Sequence, residues 1–331
     1  MGKILSVAVP SYNVEKYLDK CLKSFADVRM NETLEVLIVN DGSTDNTEVI
    51  ANKYVKKYPE IFKLINKKNG GHGSAVNAGI ENATGKYFRI VDGDDWVITD
   101  NLVKLLELLK KADADLVVDE KREVHMITGE TKFTALPDYV DKNKLYQFED
   151  ICNFNDIAIY IILHTLSVKT EILKKNHIRL QEHIFYVDYE YIVKTTCASK
   201  TIMFLDIEIY QYLVGNVNQS VDSQNYVRRF SHHDKVVKEL LLYATNAKYV
   251  GNIREYLDRK IQLIINSHYK IALIFDKDRK QGLRRGKEFK QYLQNNYPIY
   301  YKKTKKRYWE TMIFHFLGVD TEKLDKFMSR K

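Results

Sequence analysis

Five short apolar runs, at residues 4–10, 34–39, 62–65, 87–91 and 116–118, alternate with turn formers and segments of helical spacing. Runs that are apolar without alternation read as strands buried on both faces, which requires helices above and below a parallel sheet. The first run passes through Ser11-Tyr12-Asn13 into a helix with Val14, Tyr17, Leu18, Cys21, Leu22 and Phe25 on one face. The second enters a turn-forming stretch at 40–47, where Asp45 and Glu48 have the spacing of a capping box for a helix to about Tyr58. The third leads through Asn69-Gly70-Gly71-His72-Gly73 into a helix from Ala75, and the fourth into a helix over 100–111. Repeated strand, turn and helix units predict a doubly wound, mostly parallel α/β sheet flanked by helices.

The fourth run ends in three carboxylates within four residues, Asp92, Asp94 and Asp95. Like charges this close raise one another's pKa unless a cation or several N–H donors sit among them. Gly93 leaves room for a ligand at the backbone, and a hard divalent ion, Mg2+ or Mn2+, with phosphate oxygens in its shell suits such ligands. A solvated acidic turn capping the next helix is the plain alternative. Position favours the ligand, because ligands in open α/β sheets bind outside the carboxyl ends of strands. Asp41, at the end of the second run, either shapes its turn or accepts hydrogen bonds from a nucleobase or ribose. The glycines before residue 75 suit a phosphate on exposed N–H groups. They are not the dinucleotide fingerprint, since Val76 occupies its third glycine position, and a lysine-bearing P-loop is absent.

Hydrophobic residues make up 45% and charged residues 29% of the 331, which excludes disordered and fibrous classes. The opening MGKILSVAVPSYN reads as a first strand rather than a secretory leader, and no uncharged apolar run reaches the roughly 18 residues of a membrane span, so a cytoplasmic protein is expected. Cys21, Cys152 and Cys197 show no metal-ligand spacing and read as buried thiols. The net charge of +8 is local: residues 277–307 carry 12 Lys and Arg against 2 Asp and Glu, or +10, leaving 40 against 42, or −2, elsewhere. Such a segment attracts an anionic membrane surface, a polyanion or nucleic acid, or is the solvated face of a basic helix. Tyr297, Tyr300, Tyr301, Tyr308 and Trp309 are interleaved with it, and apolar residues continue to Leu317. These suit base stacking, a membrane interface over 277–317, or packing in a helical domain or homo-oligomer.

Beyond residue 119 the pattern weakens. Alternation around 124–133 suggests a hairpin, helical spacing returns at 150–161 and 169–176, and His164 between them reads as a core group or a substrate contact. Phe185-Tyr186-Val187-Asp188-Tyr189-Glu190-Tyr191 sets two acids among aromatics at the start of a helix. Such an acid either caps the helix or has its pKa raised toward use as a proton acceptor. A strand over 201–212 is the last, and beyond Ser223 all strong periodicity is helical. The expected division is 1–222, in halves 1–118 and 119–222, followed by a helical, basic region 223–331.

Five blocks carry a resemblance: VAVPSYN at 7–13, VNDGSTDNT at 39–47, NGGHGSAVNAGI at 69–80, GKYFRIVDGDDW at 85–96 and YVDYEY at 186–191. In this order, across residues 3–221, the chain resembles the family 2 glycosyltransferases. The resemblance implies the GT-A fold and inverting, non-processive transfer of a sugar from a nucleotide-sugar, UDP-sugars foremost, to a glycan, cell-surface polymer or lipid-linked acceptor. It implies donor contacts at Pro10, Ser11, Tyr12, Asn13, Asp41, Asn69, Gly73, Asn77, Asp92, Gly93 and Asp94. Within these, Asp94 is the direct ligand of Mn2+ or Mg2+, with Asp92 beside it on the ribose. Asp188 matches the base that deprotonates the acceptor hydroxyl, and Asp95, His164, Glu190, Gln219 and Ser220 fall to the acceptor side. Val187 replaces the family's glutamate before that base, and Val76 stands where many members carry arginine. The Gln-x-x-Arg-Trp block and membrane helices of processive members are absent. Two rival classes are a non-catalytic sugar-binding protein of the same fold and a nucleic-acid binder acting through the basic segment. Intact Asp92, Asp94 and Asp188 argue against the first.

Overall fold

The computed structural model describes residues 2–154, 156–215, 222–321 and 323, and the chain forms two compact units, Met1–Asn216 and Val217–Lys331. In the first unit β1 (Leu5–Ser11), β2 (Leu34–Asn40), β3 (Phe62–Asn66) and β4 (Tyr87–Ile90) run parallel in the order β3-β2-β1-β4. Every residue of β1, β2 and β4 is buried, as runs without alternation require. The crossovers are α1 (Leu18–Lys23), α2 (Thr47–Lys57) and α3 (His72–Asn82). α3 lies close on one face of the sheet, where a Cβ at Gly79 would stand 2.6 Å from that of Ala8. Leu5, Val7 and Val9 point to the other face and pack with Leu18, Leu22, Phe25, Leu102 and Leu105. Asp45 and Glu48 do not close a capping box. Asp45 accepts from the N–H of Thr47 and of Glu15 (both 3.0 Å), while Glu48 takes the Asn66 amide (2.7 Å).

Beyond β4 the sheet is mixed. After β5 (Trp96–Val97) and α4 (Thr99–Lys111), β6 (Leu116–His125) lies two places from β4, with a strand between them that the sequence pattern had not suggested. The remaining strands are β7 (Thr131–Thr134), β8 (Leu145–Gln147), β9 (Leu166–Lys169) and β10 (Thr201–Val214), and it is β9 that fills the gap, antiparallel to both neighbours. β10 runs parallel to β6 and pairs antiparallel with β5 and β8, and β7 is the hairpin partner of β6. The helix expected at 150–161 is broken into α5 (Phe148–Ile151) and a 3-10 turn at Ile157–Ile159; Phe148, Ile151 and Ile157 are buried while Ile159 is exposed. α6 (Thr170–Lys175) and α7 (Asp188–Ala198) complete the unit.

The second unit is helical: α8 (Ser223–Arg228), α9 (Phe230–Asn246), α10 (Gly251–Lys270) continued by a π turn at Ile271–Phe275, α11 (Arg279–Asn296) and α12 (Pro298–Phe316). Side-chain oxygens of Asp222 and Asp278 cap α8 and α11, and Pro298 opens α12. Its core holds Val237, Leu240, Ile261, Ile265, Tyr269 and Leu293. α11 approaches the π turn closely, since a Cβ at Gly282 would meet the Ala272 carbonyl at 2.2 Å. Cys21, Cys152 and Cys197 are free and buried. Among the described residues no helix is long and apolar enough to cross a membrane.

Candidate active site

β1 is the strand at which the parallel order reverses, with β2 on one side and β4 on the other, so a crevice opens at the carboxyl ends of β1 and β4. Asp92, Gly93, Asp94 and Asp95 follow β4 there, closed by a hydrogen bond from the Asp95 N–H to the Asp92 carbonyl (3.0 Å). Gly93 is needed for closeness: a Cβ would come within 3.1 Å of the Pro10 carbonyl oxygen and of Val14 Cγ2. Ser11 is buried at the end of β1, Tyr12 is exposed, and Asn13 adopts the left-handed region (φ 53°). The Asn13 side chain accepts from the Thr44 N–H (2.8 Å), which locks the loop after β1 to the loop after β2.

Asp92 is the centre of the cluster. Its Oδ1 lies 3.0 Å from His72 Nε2, at the start of α3, and its Oδ2 lies 4.0 Å from His164 Nε2. Burial works to raise the Asp92 pKa, but the hydrogen bond and charge of His72, with His164 behind, hold it below the ordinary carboxylate value. Burial opposes the His72 imidazolium in turn, yet Asp92, Asp188 and Asp94 more than offset it and the His72 pKa is raised. At Asp94, burial together with the Asp92 charge outweighs a backbone hydrogen bond and the charge of His72 and pushes the pKa up to about 6. Asp95 is almost fully enclosed and accepts from Tyr210 Oη (2.6 Å) and the Leu213 N–H (2.7 Å). Burial and the charges of Asp94 and Asp92 still raise it well above the usual range.

His164 is placed by an ion pair inside the sheet. Arg89 of β4 and Asp119 of β6, both wholly buried, meet through two guanidinium nitrogens, and Arg89 also donates to the His164 carbonyl. The imidazole then stacks on Tyr212 (4.5 Å between centroids) and tilts against Tyr210 (4.8 Å). Burial lowers its pKa to about 4, so the ring is neutral near pH 7, and its Nδ1 is buried with no hydrogen-bond partner among the described residues. Ligand atoms of Asp92, Asp95 and His164 all lie within 4.8 Å of one another, a set of hard oxygens and one imidazole that fits a divalent ion. Asp94, expected as the direct ligand, is not part of that group.

Asp188 is the first residue of α7 and stays open to solvent. The protein around it raises its carboxyl pKa by desolvation; His72 opposes this and Asp92 adds to it, so the three groups share one electrostatic field. Glu190, expected on the acceptor side, is instead fully buried, accepting from Gln181 Nε2 (2.6 Å) and Lys194 Nζ (3.1 Å). Asp41 is enclosed as well: its carboxylate takes Lys67 Nζ (2.8 Å) and the N–H groups of Gly70 (3.0 Å) and Gly71 (2.7 Å), and its carbonyl takes the Asn69 amide (2.9 Å). The Asn77 amide is spent on the backbone N–H and carbonyl of Leu180 (both 2.9 Å), and a Cβ at Gly73 would stand 2.2 Å from the Gln181 carbonyl. Asn77 and Gly73 therefore bind the chain to itself. Gln219 and Ser220 lie outside the described residues. Sequence reasoning gave no role to His72, Tyr210, Tyr212 or the Arg89–Asp119 pair. A lone arginine inside the apolar run 87–91 was the available signal, because a buried guanidinium demands a carboxylate.

Residues 6–176 match the family described as Glycosyl transferase family 2. The chain belongs to that family. It is similar to an uncharacterized glycosyltransferase of Escherichia coli K12, YibD, at 27% identity over 261 residues, covering 76% of this chain and 74% of that one. EpsJ, an uncharacterized glycosyltransferase of Bacillus subtilis 168, is 37% identical over 117 residues, which is 35% of this chain and 33% of that protein. A teichoic acid poly(glycerol phosphate) polymerase of Staphylococcus epidermidis is 25% identical over 78% of this chain and 35% of its own length. The chain thus spans about a third of two of these relatives. Among solved structures, S. aureus TarS in complex with UDP-GlcNAc superposes with a TM-score of 0.67 at 20% identity, over 96% of this chain and 92% of that one. That likeness shows the fold, a GT-A domain followed by a helical region.

Proposed function

We propose that the chain is an inverting, non-processive glycosyltransferase that moves a hexose or N-acetylhexosamine from a nucleotide-sugar to a hydroxyl of a glycan, cell-surface polymer or lipid-linked acceptor. The observation that carries this reading is the gathering of Asp92, Asp95 and His164 with His72 at the switch point of the sheet, inside the electrostatic reach of Asp188. The UDP class is motivated by TarS, captured with UDP-GlcNAc, and a polymer acceptor by the teichoic acid polymerase relative.

Asp92 and Asp95, with His164, would hold Mn2+ or Mg2+, and Asp94 would stand beside them near the donor phosphates. When bound, the ion neutralises charge building on the departing diphosphate. The remaining work falls to side chains of this protein. His72 fixes the rotamer of Asp92 and, when protonated, would place a positive charge close to the same phosphates. Asp41 holds the 67–71 loop that borders the donor. Asp188, once ionised, accepts the proton of the incoming hydroxyl as that oxygen attacks the sugar carbon and the diphosphate leaves. One base acting in line inverts the sugar carbon.

The test is released nucleotide, measured by mass spectrometry across a panel of nucleotide-sugars with Mn2+, with Mg2+ and with chelator. Turnover of one UDP-sugar that depends on metal is expected. Donor binding without turnover anywhere in the panel would instead make this a binding protein.

A further inference from the structure

α12 buries Tyr300, Thr304, Tyr308, Thr311, Met312 and His315 in the helical unit. At about 100° per residue, the opposite sector of the helix carries Trp309, Ile313, Phe316 and Leu317, with Ile299 one end further on. The first four are 52, 57, 71 and 70% exposed, at the i, i+4, i+7, i+8 spacing of a single face. A row of large apolar side chains in water marks an interaction surface rather than a normal exterior. Toward the N-terminus the same sector carries Lys302, Lys305 and Lys306, all exposed, and no carboxylate among the described residues pairs with them. Neighbouring cations do have partners: Lys303 with Asp258 (2.6 Å), Arg307 with Glu310 (3.2 Å) and Arg285 with Asp276 (2.7 Å). From α11, Lys290 stands 5.6 Å from the Trp309 ring centre and continues the basic rim.

We propose that this face of α12 docks the protein on an anionic lipid bilayer. The helix lies in the plane of the headgroups, with Trp309, Ile313, Phe316 and Leu317 at the acyl boundary. Lys302, Lys305 and Lys306 reach lipid phosphates. A tryptophan beside lysines is suited to that depth, since its ring is amphipathic and the lysine stems extend toward water. Charge decides against a second copy of the chain as the occupant. A symmetric contact through this face would set the lysines against one another or against apolar side chains, and Glu310, the carboxylate at the edge of the sector, is already paired with Arg307 (3.2 Å). The docking stands independently of the glycosyltransferase reading.

The test is flotation of the full-length protein with vesicles of phosphatidylglycerol and phosphatidylcholine, and with phosphatidylcholine alone, at low and high salt. Binding to the anionic vesicles at low salt, weakened at high salt, is expected. Replacing Lys302, Lys305 and Lys306 together with Gln lowers partitioning by about a hundredfold, from roughly fivefold for each basic residue near an anionic surface. Trp309→Ser with Phe316→Ser abolishes it, while circular dichroism and the melting temperature hold, because both side chains are exposed. The proposal is overturned if the full-length protein ignores anionic vesicles at low salt, or if both variants bind as well as the parent. It is also overturned if light scattering shows a dimer that the Trp309→Ser, Phe316→Ser protein no longer forms.

Discussion

Asp188 is open to solvent but surrounded by protein, which raises its carboxyl pKa without hiding it from an incoming hydroxyl. Asp188→Asn should keep donor affinity and lower kcat by about two to four powers of ten, the usual worth of a general base. Glu190→Gln should reverse the balance. It removes the charge opposite buried Lys194 and should cost roughly 3 kcal/mol of stability, read from thermal melting, with a smaller effect on kcat. If Glu190→Gln instead gave the larger loss of turnover, the role of base would pass to Glu190. Glu35 offers a test of stability against pH. It is wholly buried in β2; burial raises its pKa, but Lys63 (2.7 Å), Ser6 Oγ (2.5 Å) and the Thr84 N–H (2.6 Å) bring it down to about 2. A carboxylate depressed in the folded state stabilises in full above its unfolded value, here 4.5, and loses that contribution as pH falls toward 2. Urea midpoints should therefore fall between pH 5 and 2 by the equivalent of about 3 kcal/mol, and Glu35→Gln should flatten that slope.

At the scale of elements, the start of α3 and the segment at 177–187 form one device. The His183 N–H donates to the Gly70 carbonyl (2.5 Å), Asn77 clasps both backbone groups of Leu180, and Gly73 lets the Gln181 carbonyl sit on the helix start. His183 and Tyr186 occupy the left-handed region (φ 60° and 69°), a cost that persists where surrounding contacts over-determine the backbone. The result is that Asp188, two residues beyond Tyr186, is set relative to His72 by backbone contacts. Gly73→Ala should push the segment off α3 and lower kcat by about a hundredfold with the donor KM little changed, as expected when a catalytic group moves by about 1 Å. Faster limited proteolysis within 177–187 should accompany it. From the sequence, the glycines before residue 75 read as a place for a phosphate on exposed N–H groups, and Gly73 is instead approached by the chain itself. That the approaching group is the Gln181 backbone was not legible, because the contact joins residues more than a hundred positions apart.

For the whole molecule, metal binding separates two ligand sets. Chelation should stop transfer and leave the melting temperature of the apo protein where it was, because the apolar cores of the two units hold without an ion. Mn2+ at about a hundred times its Kd should raise stability by about 2.7 kcal/mol through mass action. His164→Ala should shrink that increment if Asp92, Asp95 and His164 are the ligands. An increment unchanged in His164→Ala but lost in Asp94→Asn would return the ion to the Asp92–Asp94 pair.

The parallel half of the sheet was determined by sequence alone, because largely apolar runs without alternation, such as 4–10 and 34–39, are satisfied by burial on both faces. The acidic turn after β4 and the family blocks were equally legible, since their meaning is carried by neighbours in the chain. β9 was not: four residues between a 3-10 turn and a helix hold no period to read. The His72–Asp92 contact, the stacking of His164 on Tyr212 and the grip of Arg89 on Asp119 exist only once distant strands are side by side. α12 shows the same limit most plainly. Its sequence is apolar in two sectors, and which of them is covered was decided by packing against α10 and α11, which took Tyr300, Tyr308 and Met312 and left Trp309, Ile313 and Phe316 in water.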